Sequence, residues 1–190
     1  MSELSVGTLS GLAANSYVVD IASGSTLDLS NATDLPASAL PAGSILQVVS
    51  TTKTDLFSTT SLSNEDIPGL SVSITPSSTS SKIFVISNLV QGHSNSGYWN
   101  YFTLVRDSTA INVGTGGTTD NSTATVYTAN GFANSSVSIT ALDSPSTTST
   151  LTYKIQMRIK SGGGTGRINS FANSGAEGSS STITVMEVAG

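Results

Sequence analysis

The chain has 190 residues, about a third of them Ser or Thr, with 18 Gly, no Cys and only 10% charged side chains. Without Cys, neither a disulfide framework nor a thiolate metal site can form. A net charge of −5, with seven basic residues scattered along the chain, argues against the clustered Lys and Arg that nucleic acid demands.

The opening residues, MSELSVGTLSG, lack the basic and apolar regions of a secretory leader, and no apolar run nears the ~18 residues of a membrane span. Synthesis in a cytoplasm, without membrane insertion, is the expectation. Residues 17–21 and 26–29 are strand-like, and DLPASAL at 34–40 makes at most one or two helical turns around its Pro. Tyr17 is the sole aromatic before LPASALPAGS closes this region. About 43 residues with so little apolar mass rarely build a core alone. Residues 1–43 are therefore read as a segment for attachment or oligomerisation, packed on a larger body or on other copies.

Residues 44–190 have the size of one domain. Strand-like runs recur at 45–51, 70–75, 82–89, 98–106, 124–129, 135–142, 150–160 and 182–188. The pair flanking LSVSITPSSTSSKIFV is the clearest, with alternation on both sides of a Ser/Thr turn. Clusters such as GTGGTTDNS, LDSPSTTS and KSGGGTG separate the runs as loops. Many short strands and no helical period predict an all-β, antiparallel sandwich or jelly-roll with at least eight strands. Lys154, Arg158 and Lys160 alternate with Tyr153, Ile155, Met157 and Ile159, which predicts a solvated face on a half-buried strand. Low charge on so many strands leaves edges unguarded and points to an oligomer.

Chemistry is sparse. His93, the one His, sits in QGHSNSG and reads as a solvated loop residue; no G-x-S-x-G elbow accompanies it. Glu65–Asp66 in SNEDIPG and Asp107 in VRDST read as turns, and Asp120 lacks the clustered acids of a Ca²⁺ loop. Gly114–Gly117 and Gly162–Gly166 lack the Lys-Ser/Thr and helix of a phosphate loop. The expectation is no catalytic residue, no cofactor and no metal: not an enzyme. The stretch HSNSGYWNYFTLVRD holds the only Trp, and alternation puts Trp99 and Tyr101 on one face with Phe102 on the other. Trp99, Tyr101 and Phe102 are read as core or subunit packing, with a host-binding platform as the competing reading.

VSITPSSTSSKIFVIS, FTLVRDSTAI, SVSITALDSPSTTSTLTYKIQMRI and the terminal STITVMEV together resemble the C-terminal domains of tail-fibre-like proteins of tailed bacteriophages, many of them marine and cyanobacterial. GSTLDLSNA leading into LPAGSILQVVSTTKTD is similar to the short repeats that precede such domains. The resemblance implies a virion structural protein made in the host cytoplasm, a homotrimer whose β-sandwich head is displayed outward. Its implied partners are copies of itself, other virion proteins (tail, baseplate or major capsid protein) and a host surface glycan or protein. A capsid decoration protein is the alternative, and a depolymerising enzyme a distant third. Host contact would fall to loops 91–97, 114–122 and 161–167, with His93, Asn95, Thr118, Asp120 and Arg167 as candidates.

Overall fold

The computed structural model describes residues 40–117, 120–129, 134–170 and 178–190. The readings placed on residues 1–39, including the strand-like runs at 17–21 and 26–29 and most of the helical turn, lie outside them. Among the described residues every regular element is a strand, and no helix is long and apolar enough to cross a membrane.

Eleven strands form two antiparallel sheets. They are β1 (Ile45–Lys53), β2 (Phe57–Thr59), β3 (Glu65–Ile74), β4 (Lys82–His93), β5 (Tyr98–Arg106), β6 (Thr109–Ile111), β7 (Ala124–Thr128), β8 (Ser135–Asp143), β9 (Leu151–Ile159), β10 (Gly166–Ile168) and β11 (Ser181–Val188). The first sheet orders β1-β11-β4-β8, with the short β2 and β10 continuing the lines of β1 and β11. The second orders β3-β9-β5, and both β6 and β7 then pair with the same flank of β5. Three lines thus hold two strands each, so eleven strands make eight lanes, four per sheet.

Alternation explains why the lanes stack. Ile83, Val85 and Leu89 of β4, Ile183 and Val185 of β11, and Val137 and Ile139 of β8 point from the first sheet into one core. Phe102 and Leu104 of β5, Tyr153, Ile155 and Met157 of β9, and Leu70, Val72 and Ile74 of β3 meet them from the second. Between sheets the period-two pattern buries one face of each strand and leaves the other free.

The broken lanes have local causes. Asn169, at φ +64°, ends β10; its side-chain amide donates to the carbonyls of Lys53 and Asp55, and Ser181 donates to its Oδ1 at 2.6 Å. A short polar side chain tolerates that left-handed backbone and stitches two neighbouring lanes where the chain departs. Thr123 bridges the gap between β6 and β7, its N–H donating to the Phe102 carbonyl while its Oγ1 accepts from the Leu104 N–H.

Two expectations need correction. Glu65 and Asp66 are not a turn: β3 begins with them, opposite Met157 and Gln156, before a register shift that contains Pro68 and Gly69 (φ +82°). The strands at 57–59, 109–111 and 166–168 fall where loops were expected. The sandwich itself follows the sequence reading, but its two longest strands outrun it: β3 starts at Glu65 rather than 70, and β4 runs to His93 rather than 89.

Candidate functional site

The turns joining β4 to β5 and β9 to β10 lie together at one end of the sandwich. Asn95 of the first donates to the Gly163 carbonyl, the Ser94 N–H donates to the Thr165 carbonyl at 2.9 Å, and the Thr165 N–H returns a bond to Ser94 Oγ at 2.9 Å. Two of the three loops expected to contact a host are therefore one joined surface. Of the third, Asp120 lies elsewhere, against Arg158 and Lys160 on the outer face of the second sheet, and Thr118 is outside the described residues.

His93 corrects the sequence reading. It closes β4 rather than occupying a loop, faces inward, and is fully buried. Its ring stacks on Tyr98 with centroids 4.9 Å apart and planes at 6°, and the Asn95 N–H donates to Nδ1 at 3.2 Å. Burial pushes its pKa below the ordinary imidazole range, only partly offset by the Asn95 carbonyl, which lies 3.2 Å from Nδ1 and would accept from the protonated ring. Beside it Asn100 donates to Gln91 Oε1 and to the Gly92 carbonyl at 3.0 Å, so the inward row of β4 turns from aliphatic to polar at this end. His93 Nε2 and Asn100 Oδ1 are buried without a hydrogen-bond partner among the described residues. Arg167 also departs from expectation: it is a half-buried residue of β10, not a loop residue. Of the candidates, only Asn95 is well exposed at this end.

The aromatic strand divides differently from the expectation. Phe102 is in the core, fully buried. Trp99 and Tyr101 share the opposite, outer face of the second sheet, so neither belongs to the core. Tyr101 is nonetheless covered, because the Arg158 guanidinium from neighbouring β9 lies 4.1 Å above its ring. Trp99 stays 37% exposed, and Tyr127, directly opposite on β7, 51%. Their centroids are 4.9 Å apart with planes tilted by 50°. Lys160 Nζ reaches 5.9 Å from the indole centre. Asp120 joins the cations: its Oδ1 accepts from Arg158 Nη2 at 3.1 Å, and Oδ2 lies 3.7 Å from Lys160 Nζ. An exposed pair of rings thus adjoins a carboxylate, a guanidinium and an ammonium group. Such a surface can lie against the apolar face of a sugar ring and hydrogen-bond its hydroxyls at the edge.

The outer face of the first sheet is chemically distinct. In register, Val48 lies beside Met186, Met186 beside Phe84, and Phe84 beside Leu142, an apolar row across four strands. Below it Ser50, Thr184, Ile86 and Thr140 follow, with Ser50 and Thr184 hydroxyls 2.8 Å apart.

No protein-family model and no curated protein matches the chain. Among solved structures it is similar to that of the infectious bursal disease virus Gx strain, at 19% identity and a TM-score of 0.42 over 76% of this chain. The Gt strain structure gives 16% and 0.43 over 78%, and the crystal structure of the same virus's VP2 subviral particle 17% and 0.39 over 75%. The matched region is 37%, 39% and 38% of those chains, well under half of each. No residue role is carried over from them.

Proposed function

We propose that this chain is a virion structural protein of the tail-fibre type, a homotrimer that displays its sandwich on the particle and meets a host surface glycan through the outer face of its second sheet. The observation that carries the reading is the exposed Trp99–Tyr127 pair beside Asp120, Arg158 and Lys160. Large rings left in solvent on a regular strand are costly unless something lies against them, and rings with polar neighbours suit sugar.

The lane order lends support. Numbered along the chain, one sheet reads 1-8-3-6 and the other 2-7-4-5, the winding of an eight-stranded jelly roll, an architecture shared by viral capsid and lectin domains. Fold-level analogy of this kind supports the class and not the ligand. The phrase-by-phrase resemblance to tail-fibre heads supports the position on a particle.

The test is binding of the purified chain to host envelope polysaccharide. Binding lost in both Trp99→Ala and Tyr127→Ala, with folding intact, is the expected result. Polysaccharide that binds both variants as it binds the original chain would remove the basis of the reading. A chain that binds no host surface but is found on the capsid would support the decoration alternative instead.

A further inference from the structure

The outer face of the first sheet has no role in sugar contact, and its chemistry is unlike the rest of the surface. Its side chains come from β1 (46, 48, 50, 52), β11 (182, 184, 186, 188), β4 (82, 84, 86, 88, 90) and β8 (136, 138, 140, 142), with Ser58 of β2 and Arg167 of β10; among these Lys82 at one end and Arg167 at the other are the charged ones, and none is acidic. The opposite sheet presents Asp66 paired with Lys154 at 2.7 Å, and the Asp120–Arg158–Lys160 group. The apolar row Val48–Met186–Phe84–Leu142 runs from one edge of the first sheet to the other. Its two ends are the most open: Val48 is 56% and Leu142 57% exposed.

We infer that this face is covered by a second copy of the chain. This deepens the assembling part of the function proposed above by naming the surface, and it does not depend on the sugar contact. Three physical points select a copy of the same chain. First, a chain of net charge −5 repels its own copies, and this face lets two copies meet without opposing carboxylates. Second, apolar side chains and neutral hydroxyls are self-complementary, whereas a charged partner would find no counter-charge across the middle of the face, between Lys82 at one end and Arg167 at the other. Third, the size suffices. Four lanes spaced about 4.8 Å apart, with about eight residues rising about 3.3 Å each, make a face of roughly 500 Å². Three such faces turned to one axis bury up to about 1,500 Å² in all, within the size of a specific interface.

Edge protection agrees with this placement. β1 and β8 flank the sheet, and the described outward residues of both are Val, Leu, Ser and Thr, with none of the lysines that usually blunt an exposed edge. Lys53 of β1 points inward, its side chain buried against Asp55 at 2.8 Å. Three copies about a threefold axis turn these faces towards the axis, with the β1 edge of one near the β8 edge of the next, and leave the aromatic faces outward.

The test is sedimentation of the full chain from 1 to 100 µM, beside Val48→Lys, Leu142→Arg and, as a control on the other sheet, Thr125→Lys. The original chain and the control should associate alike, and each variant on the first sheet should weaken association at least tenfold while keeping the β-rich spectrum and melting transition. Because the native chain has no Cys, Leu142→Cys supplies a second readout: its alkylation should be slow in the associated protein and fast on dilution. A chain that remains monomeric at 100 µM, or Leu142→Arg associating as the original does, would overturn the inference. A monomer whose Leu142→Arg variant is lost from particles would assign the face to another virion protein and equally overturn it. An associating chain that binds no polysaccharide would leave this inference standing and defeat the sugar contact.

Discussion

Phe102 and Trp99 are three residues apart on β5 and face opposite ways, which makes them a matched pair of perturbations. Phe102 is wholly enclosed by core residues of both sheets. Truncating such a ring costs about 3–5 kcal/mol in transfer and cavity terms together. Trp99 is more than a third exposed and keeps contact only along the outer face, where Tyr127 and Lys160 adjoin it. Full burial of a large side chain is worth about 1.5–3 kcal/mol, so two-thirds of that gives about 1–2 kcal/mol for Trp99→Ala. At about 2–4 °C per kcal/mol for a domain of this size, Phe102→Ala should lower Tm by about 6–20 °C and Trp99→Ala by about 2–8 °C. Melting must be followed at one protein concentration, because association adds to apparent stability. Polysaccharide affinity should move the opposite way. Loss of an aromatic anchor of about 2 kcal/mol weakens binding roughly 30-fold in Trp99→Ala, while folded Phe102→Ala binds as the original. A Trp99→Ala variant that melts as low as Phe102→Ala and still binds would overturn this division of roles.

Four further outcomes follow from the same geometry. A Cβ on Gly164 would stand 2.2 Å from His93 Cε1, and the stack on Tyr98 keeps that ring from yielding; Gly164→Ala should cost about 1–3 kcal/mol by denaturant melting, with part recovered when His93 is also Ala. His93 has its pKa depressed on folding, so the unfolded chain takes up the proton first; stability should fall as pH drops below about 6.5, and His93→Phe should flatten that limb. Burial would raise the pKa of Glu187, but Ser77, Ser81 and Gln47 donate to its carboxylate and hold it below the usual range; its contribution is full above about pH 4.3 and lost as pH falls further, a loss Glu187→Gln should remove from the denaturation midpoint. Asp143 accepts from the half-buried Arg106 at 2.6 Å and from the Tyr153 hydroxyl at 2.7 Å; Asp143→Ala should cost about 1–3 kcal/mol, and adding Tyr153→Phe should recover some of it by removing the stranded hydroxyl.

Most of the sandwich is legible in the sequence because period-two alternation over eight or more residues fits a half-buried strand and does not fit a helix, as in β4, β9 and β11. The strands at 57–59, 109–111 and 166–168 are not, since three residues carry no period and Gly166 and Thr59 read as loop. The faces of β5 are ambiguous for a physical reason: it carries large side chains on both sides, so alternation groups Trp99 with Tyr101 but does not say which group is inward. Tyr101 is buried on the outer side only because Arg158, distant in sequence, lies over it. His93 reads as loop because its neighbours Ser94, Asn95 and Ser96 are loop-like, although Gln91 and His93 continue the inward row of β4. The charged group beside Trp99 depends on Asp120, which the excursion between β6 and β7 carries there, and no local pattern announces that.

Cryo-electron microscopy of the particle that carries this chain bears on both surfaces at once. Density for the sandwich is expected on the outside of the virion, three copies about one axis, with the Val48–Leu142 faces turned towards each other and Trp99 and Tyr127 turned to solvent. Particles without the chain, or a sandwich whose aromatic face lies buried against the particle, would contradict the assignment.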